Sequence, residues 1–198
     1  MAVTKNEILQ ACLNGIENSF HEYLEWSGDE WLWNAPEYLL TVNIAKELAS
    51  VEKNKYITLE DNVRTTLKRA DAHIKGKLSK RTRSNGRSDI ILWWANGTPR
   101  GIIEVKNAVL RFKNIQIDVD RIQEVLKKDS SIEFGVIAFY IDRHYEKLDP
   151  KKTIIEKIEK IVEEVRAYTY PNKLDRNYTP IVEDEKDAAF AVSIILKR

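Results

Sequence analysis

Residues 88–106 read SDIILWWANGTPRGIIEVK, and the fold turns on them. Two strand-like runs, Asp89 to Ala95 and Gly101 to Val105, flank the dipeptide Asn96-Gly97. That arrangement predicts a β-hairpin, because both central residues of its tightest turn need positive φ. Pro99 weakens regular pairing beside the turn. Side chains alternate along a strand, so Glu104 and Lys106 share a face and Val105 points away. The residue across from Glu104 depends on the loop. A two-residue turn pairs Ala95 with Thr98 and sets Asp89 opposite Glu104. A four-residue loop, Asn96 to Pro99, shifts the register by two and keeps both acids on one face. A three-residue loop separates them.

Two carboxylates side by side on adjacent strands repel each other. A divalent cation resolves the conflict, since hard oxygen ligands suit Mg²⁺ or Mn²⁺. Lys106 beside them adds a positive charge that can orient a water or help to deprotonate it. Asp89, Glu104 and Lys106 together are what metal-dependent phosphodiester hydrolysis requires. A wet hairpin face also carries Asp, Glu and Lys without any function. The stretch before the hairpin weighs against that reading. Nine basic residues lie between Arg64 and Ser88, opposed only by Asp71. They suit a phosphate backbone, with Lys80, Arg81, Arg83 and Arg87 as the expected nucleic-acid contacts; a solvated helix face and loop is the competing explanation.

Outward from the hairpin, helical periodicity predicts a helix over Lys5 to Trp26, with Ile8, Cys12, Ile16 and Phe20 in phase and Thr4 and Glu7 at capping-box spacing. Ser27-Gly28-Asp29 ends it. A second helix begins near Pro36, where Asn34 and Glu37 again have capping spacing, and Leu40, Ile44 and Leu48 line one side. Tyr56 to Glu60 reads as a strand. Asp61 is the expected cap of a third helix bearing Val63, Leu67, Ala70 and Ile74. A helix follows over Asn114 to Lys128, a buried strand over Ile132 to Tyr140, an amphipathic helix over Thr153 to Tyr168 and a strand over Ala188 to Leu196. The fold class is α/β, a mixed central sheet flanked by helices.

In this order the elements resemble the PD-(D/E)XK nuclease superfamily, the restriction-endonuclease-like fold, whose core is αβββαβ. Ser88-Asp89, fourteen residues, then Glu104-Val105-Lys106 carry the likeness. It covers about residues 36–140, leaving an N-terminal helix and a C-terminal helix and strand as additions. The resemblance implies Mg²⁺ held by Asp89, Glu104 and the main-chain carbonyl of Val105, with Lys106 activating water. It also implies a glutamate on the helix before the sheet as a further metal ligand. Glu37 fits that role, and Glu47 is the alternative; a capping role for Glu37 competes. Ser88 stands where the family's proline is usual. The Gln-x-x-x-Tyr signature of exonuclease branches is missing, because Lys127 lies four residues after Gln123. The implied activity is cleavage within DNA. A non-catalytic nuclease-like protein that binds nucleic acid or a protein partner is the alternative.

The 198 residues, 43% hydrophobic, suffice for one domain over the whole chain. The net charge of +1 does not by itself mark a nucleic-acid binder. A single cysteine, Cys12, excludes an intrachain disulfide and a Cys-rich zinc site. With no long apolar run and no apolar signal core, a cytoplasmic location without membrane contact is expected. His21, His73 and His144 lack metal-ligand spacing. Trp26, Trp31 and Trp33 lie in an acidic stretch, Glu17 to Glu37, that has no Lys or Arg. Core packing is expected of them, with a protein-binding surface as the second reading. Trp93 and Trp94 point to opposite faces, so at least one belongs to the core. A homodimer is compatible with cutting both strands, which takes two sites.

Overall fold

The structure is a computed structural model that describes residues 2–72, 85–127, 129–144 and 149–198. Helix α1 (Lys5–Ser27) opens with the expected box: the Thr4 hydroxyl accepts from the Glu7 N–H, and the Glu7 carboxylate accepts from the Thr4 N–H. It ends at Gly28 in the left-handed conformation, φ +76°. Helix α2 (Glu37–Ser50) follows a short 3₁₀ turn over Leu32–Asn34. Its start departs from expectation. Pro36 precedes the helix without a side-chain cap, and the Asn34 side chain donates to Glu30 instead.

Strand β1 (Lys55–Asn62) leads straight into α3 (Val63–Arg69). Asn62, not Asp61, caps that helix by accepting from the Thr65 N–H; Asp61 instead accepts from the Thr58 hydroxyl. Ile74 falls outside the described residues. The hairpin is β2 (Arg87–Trp94) and β3 (Pro99–Lys106), followed by α4 (Gln116–Leu126), β4 (Phe134–Arg143), α5 (Pro150–Thr169), β5 (Lys173–Glu183) and β6 (Ala188–Lys197). One sheet has the order β1-β2-β3-β4-β6-β5. Only β3 and β4 pair in parallel, joined by the α4 crossover; every other pairing is antiparallel.

Alternation along β2 and β3 divides the core between the two sheet faces. Ile91, Trp93 and Ile102 pack with α3, α4 and α5, through residues such as Leu67, Ile122 and Ile158. Ile90, Leu92, Ile103 and Val105 pack with α1 and α2, through residues such as Ile16, Leu40 and Ile44. Burial on both faces explains why these strands read as continuous apolar runs. Among the described residues no helix is long and apolar enough to cross a membrane.

The hairpin loop corrects the two-residue turn. The Trp94 N–H donates to the Thr98 carbonyl and the Gly97 N–H to the Trp94 carbonyl, so Ala95, Asn96 and Gly97 form the loop, with Gly97 at φ +87°. Such a loop alone would place the two acids on opposite faces. A second irregularity cancels it. Trp93 faces Pro99 and Leu92 faces Gly101, so Arg100 is an extra residue in β3. Beyond it Ile91 faces Ile102 and Ile90 faces Ile103, and one further step sets Asp89 across from Glu104. Arg100 is held in this bulge by several contacts, among them an ion pair with Glu133 at 3.3 Å. Its carbonyl accepts from the Glu133 N–H, its guanidinium donates to the Val3 carbonyl at 2.6 Å, and it lies 4.3 Å from the Trp94 ring centre. Pro99 is tolerated because it begins the strand.

Two further expectations are overturned. Trp26 is 60% exposed and Trp33 is 50% exposed, so neither is core; Trp31 is half-buried against Phe20 and His144. Strand β5 was not anticipated. Trp93 is fully buried and donates to the Thr58 hydroxyl, whereas Trp94 is half-buried on the other face.

Candidate functional site

Asp89 stands near the start of β2, half-buried, and its Oδ2 accepts from the Val105 N–H at 2.7 Å. The carboxylate thus bridges the two strands where the ladder ends. Burial raises its pKa, against the Val105 hydrogen bond and the Lys106 charge, which lower it. Glu104 is 1% exposed. Its Oε2 accepts from Arg121 Nη1 at 2.6 Å, while its Oε1 is buried with no hydrogen-bond partner among the described residues. Burial pushes the Glu104 carboxyl up to about 8; Arg121 opposes the shift, and Asp89 and Asp118 add to it.

Lys106, at the end of β3, donates to Glu37 Oε1 at 2.8 Å and to the Val105 carbonyl at 3.0 Å, and lies 3.7 Å from Asp118 Oδ2. Burial works to lower its pKa, but Asp118, Glu37 and Asp89 outweigh it and hold the ammonium above its ordinary value. Lys106 is therefore a firmly charged donor. Glu37 opens α2, and its second oxygen accepts from the Asn107 N–H at 3.2 Å. Freed from any capping role, it reaches over the sheet end to the site. The Asn107 side chain donates to the Leu32 and Ala35 carbonyls, fixing the turn that leads into α2.

Sequence reading missed two members, Asp118 and Arg121. Both are buried on α4. Arg121 joins Glu104 to the Arg87 carbonyl, at 3.1 Å, and lies 3.8 Å from Asp118. The signal was available: charges three residues apart interleave with Val119, Ile122 and Val125, on the phase that faces the sheet. Buried charges on that phase need partners.

Glu47 lies elsewhere, bonded to the Asn18 side chain. Of the expected nucleic-acid contacts, Arg87 is exposed at the start of β2, while Lys80, Arg81 and Arg83 lie outside the described residues.

Among the described residues the cluster contains four carboxylates, Glu37, Asp89, Glu104 and Asp118, against two cations, Lys106 and Arg121. With every group ionised it is short of positive charge, and an oxygen of its most buried acid is unpartnered. A divalent cation fits both deficits. Among the described residues no three His, Cys, Asp or Glu side chains are grouped to hold an ion by themselves. Side chains alone do not make a cage. The donor set that fits is two carboxylates with main-chain and solvent oxygens, a common arrangement for Mg²⁺.

Comparison with family models, with curated proteins and with solved structures finds no match to the chain.

Proposed function

We propose that the chain is a Mg²⁺-dependent nuclease of the PD-(D/E)XK type, hydrolysing phosphodiester bonds within DNA, with Mn²⁺ as a substitute ion. The observation that carries this reading is the partnerless buried oxygen of Glu104, set across the hairpin from Asp89 and beside Lys106. The chain order α2, β1, β2, β3, α4, β4, with α3 inserted after β1 and β3 parallel to β4, supports a restriction-endonuclease-like core.

In this reading Asp89, Glu104 and the Val105 carbonyl hold the ion. When bound, it supplies Lewis acidity toward a phosphate oxygen and a water. Lys106 donates hydrogen bonds from a charged ammonium, orienting the attacking water and offsetting charge that builds on the phosphate. Its raised pKa makes it a poor proton acceptor. Glu37 has both oxygens engaged by Lys106 and Asn107, so its part is to aim Lys106. Arg121 pairs with the buried Glu104, which would otherwise hold the ion without a fixed orientation.

The test is incubation of the protein with supercoiled plasmid, linear duplex and RNA, with and without Mg²⁺. Nicking of the plasmid only with the ion, and its loss in folded Asp89→Ala and Lys106→Ala variants, is the expected result. Undiminished cleavage by both variants would falsify the assignment. A second reading has one observation in its favour: Trp26, Trp33 and Tyr38 are exposed along the acidic stretch, where a protein partner would seat. A metal-indifferent protein that cuts nothing yet forms a stable protein complex would favour it.

A further inference from the structure

Beyond Lys106 the chain runs through Asn107 to Ile115 before α4 starts. The Val109 N–H donates to the Tyr140 carbonyl, so this connection passes the end of β4. It then forms one wall of a groove of about 420 Å³, and α5 forms the other. Arg111 and Lys113 project from the connection, Lys157 and Lys160 from α5. Leu110, 43% exposed, and Phe112 supply apolar wall. Glu164 is the one acid among the lining residues.

Four cations from two separate elements converge here against one acid, which costs stability through mutual repulsion. Some neighbouring cations have partners. Lys151 pairs with Glu183 at 2.9 Å, Arg166 with Glu163, and Arg176 with Glu159 at 2.7 Å. Among the described residues, the four groove cations enter no ion pair. Among the described residues of α5, Lys151 and Arg166 are paired while Lys152, Lys157 and Lys160 are not, so what marks the groove is the meeting of unpaired cations from two elements.

From this convergence we infer that the groove is a binding site for the phosphodiester backbone of a nucleic acid, separate from the basic stretch before β2. The inference rests on the nuclease reading for its choice of polyanion. Position agrees with it. Arg111 follows Lys106 by five residues, so the two lie at most about 18 Å apart, or roughly five base-pair steps of duplex. The contacts are to phosphate, so they position the substrate and carry no sequence preference.

The test uses the full chain and a fluorescein-labelled 20-base-pair duplex in EDTA, read by anisotropy across a salt series. The variant combines Arg111→Glu, Lys113→Glu and Lys160→Glu. A control of equal charge change combines Lys5→Glu, Lys173→Glu and Lys186→Glu, all exposed. The groove variant is expected to bind at least tenfold more weakly, with a salt slope smaller by about three, since each lost phosphate contact removes about 0.9. The control is expected to stay within twofold of the wild type. Unchanged affinity in the groove variant overturns the inference, and so does an equal loss in the control. Plasmid cleavage in Mg²⁺ separates the two claims. A cleaving wild type whose groove variant binds normally keeps the nuclease and loses the groove; weakened binding in a protein that never cleaves keeps the groove and loses the nuclease.

Discussion

Arg121 donates to Glu104 over 2.6 Å, and neither side chain is more than 6% exposed. A buried pair of this kind is costly to break from one side, because the remaining charge is stranded. Above about pH 8, where the Glu104 carboxyl is ionised, Arg121→Met is expected to lower stability by about 3–5 kcal/mol. Combining it with Glu104→Gln removes the stranded charge, so the double variant is expected to be more stable than the sum of the single losses implies. Urea denaturation of all four proteins gives the coupling. Strict additivity would mean that the two groups do not interact in solution.

Glu104 also sets a pH dependence. Its carboxyl is held near 8 by burial, above the ordinary 4.5. The folded protein therefore retains a proton that the unfolded chain releases between these values. Its contribution to stability is complete below about 4.5 and is lost as pH rises through about 8. In EDTA, the wild type is expected to lose stability relative to Glu104→Gln over this window. Under the proposed function, Mg²⁺ or Mn²⁺ should act in the opposite sense, stabilising more at the upper end, because the ion would bind the ionised carboxylate. Parallel pH profiles for the two proteins in EDTA would contradict the assignment of the shift to Glu104.

Local pattern carried the helices and the hairpin strands, because each buries one stripe or alternates within the sheet. It failed where the cause was tertiary. Arg100 bulges because Glu133, Val3 and Trp94 hold it, and Glu133 and Val3 lie far from it in sequence. Without that bulge the three-residue loop would separate Asp89 from Glu104. The expected register was therefore reached through two departures that cancel. Strand β5 carries Asp175, Arg176, Asn177 and Pro180, weak strand formers that an edge position tolerates and that β6 organises by pairing. Asp89, Glu104 and Lys106 were legible as candidates from spacing and alternation, and Glu37 from the family resemblance together with its phase. Asp118 and Arg121 belong to a helix brought to the sheet by the crossover, and only their buried phase hinted at them.

Cys12 offers a probe of the packing between α1 and the sheet. It is fully buried, and burial pushes its thiol up to about 12. Thiolate is the reactive form, so both access and ionisation protect it. A disulfide-exchange reagent such as DTNB is expected to leave the native protein unmodified and to react with one thiol per chain in denaturant. Rapid modification without denaturant would show that α1 opens locally from the sheet.

Gly15 sets how closely α1 and α2 approach. A Cβ there would lie 2.5 Å from the Cα and N of Ile44, backbone atoms that no rotamer change can move aside. Two effects compete in Gly15→Ala. Helix propensity favours alanine by about 1 kcal/mol. Overpacking opposes it by about 1–3 kcal/mol. With backbone as the obstacle the clash prevails, and α2 must shift to relieve it. Because α2 begins at Glu37, the shift reaches the partner of Lys106. The variant is expected to be less stable by up to about 2 kcal/mol in urea, the difference between these opposing effects, and, under the proposed function, to cut plasmid more slowly than the wild type under fully folded conditions. A Gly15→Ala protein as stable as the wild type would mean that the two helices stand further apart than this packing requires.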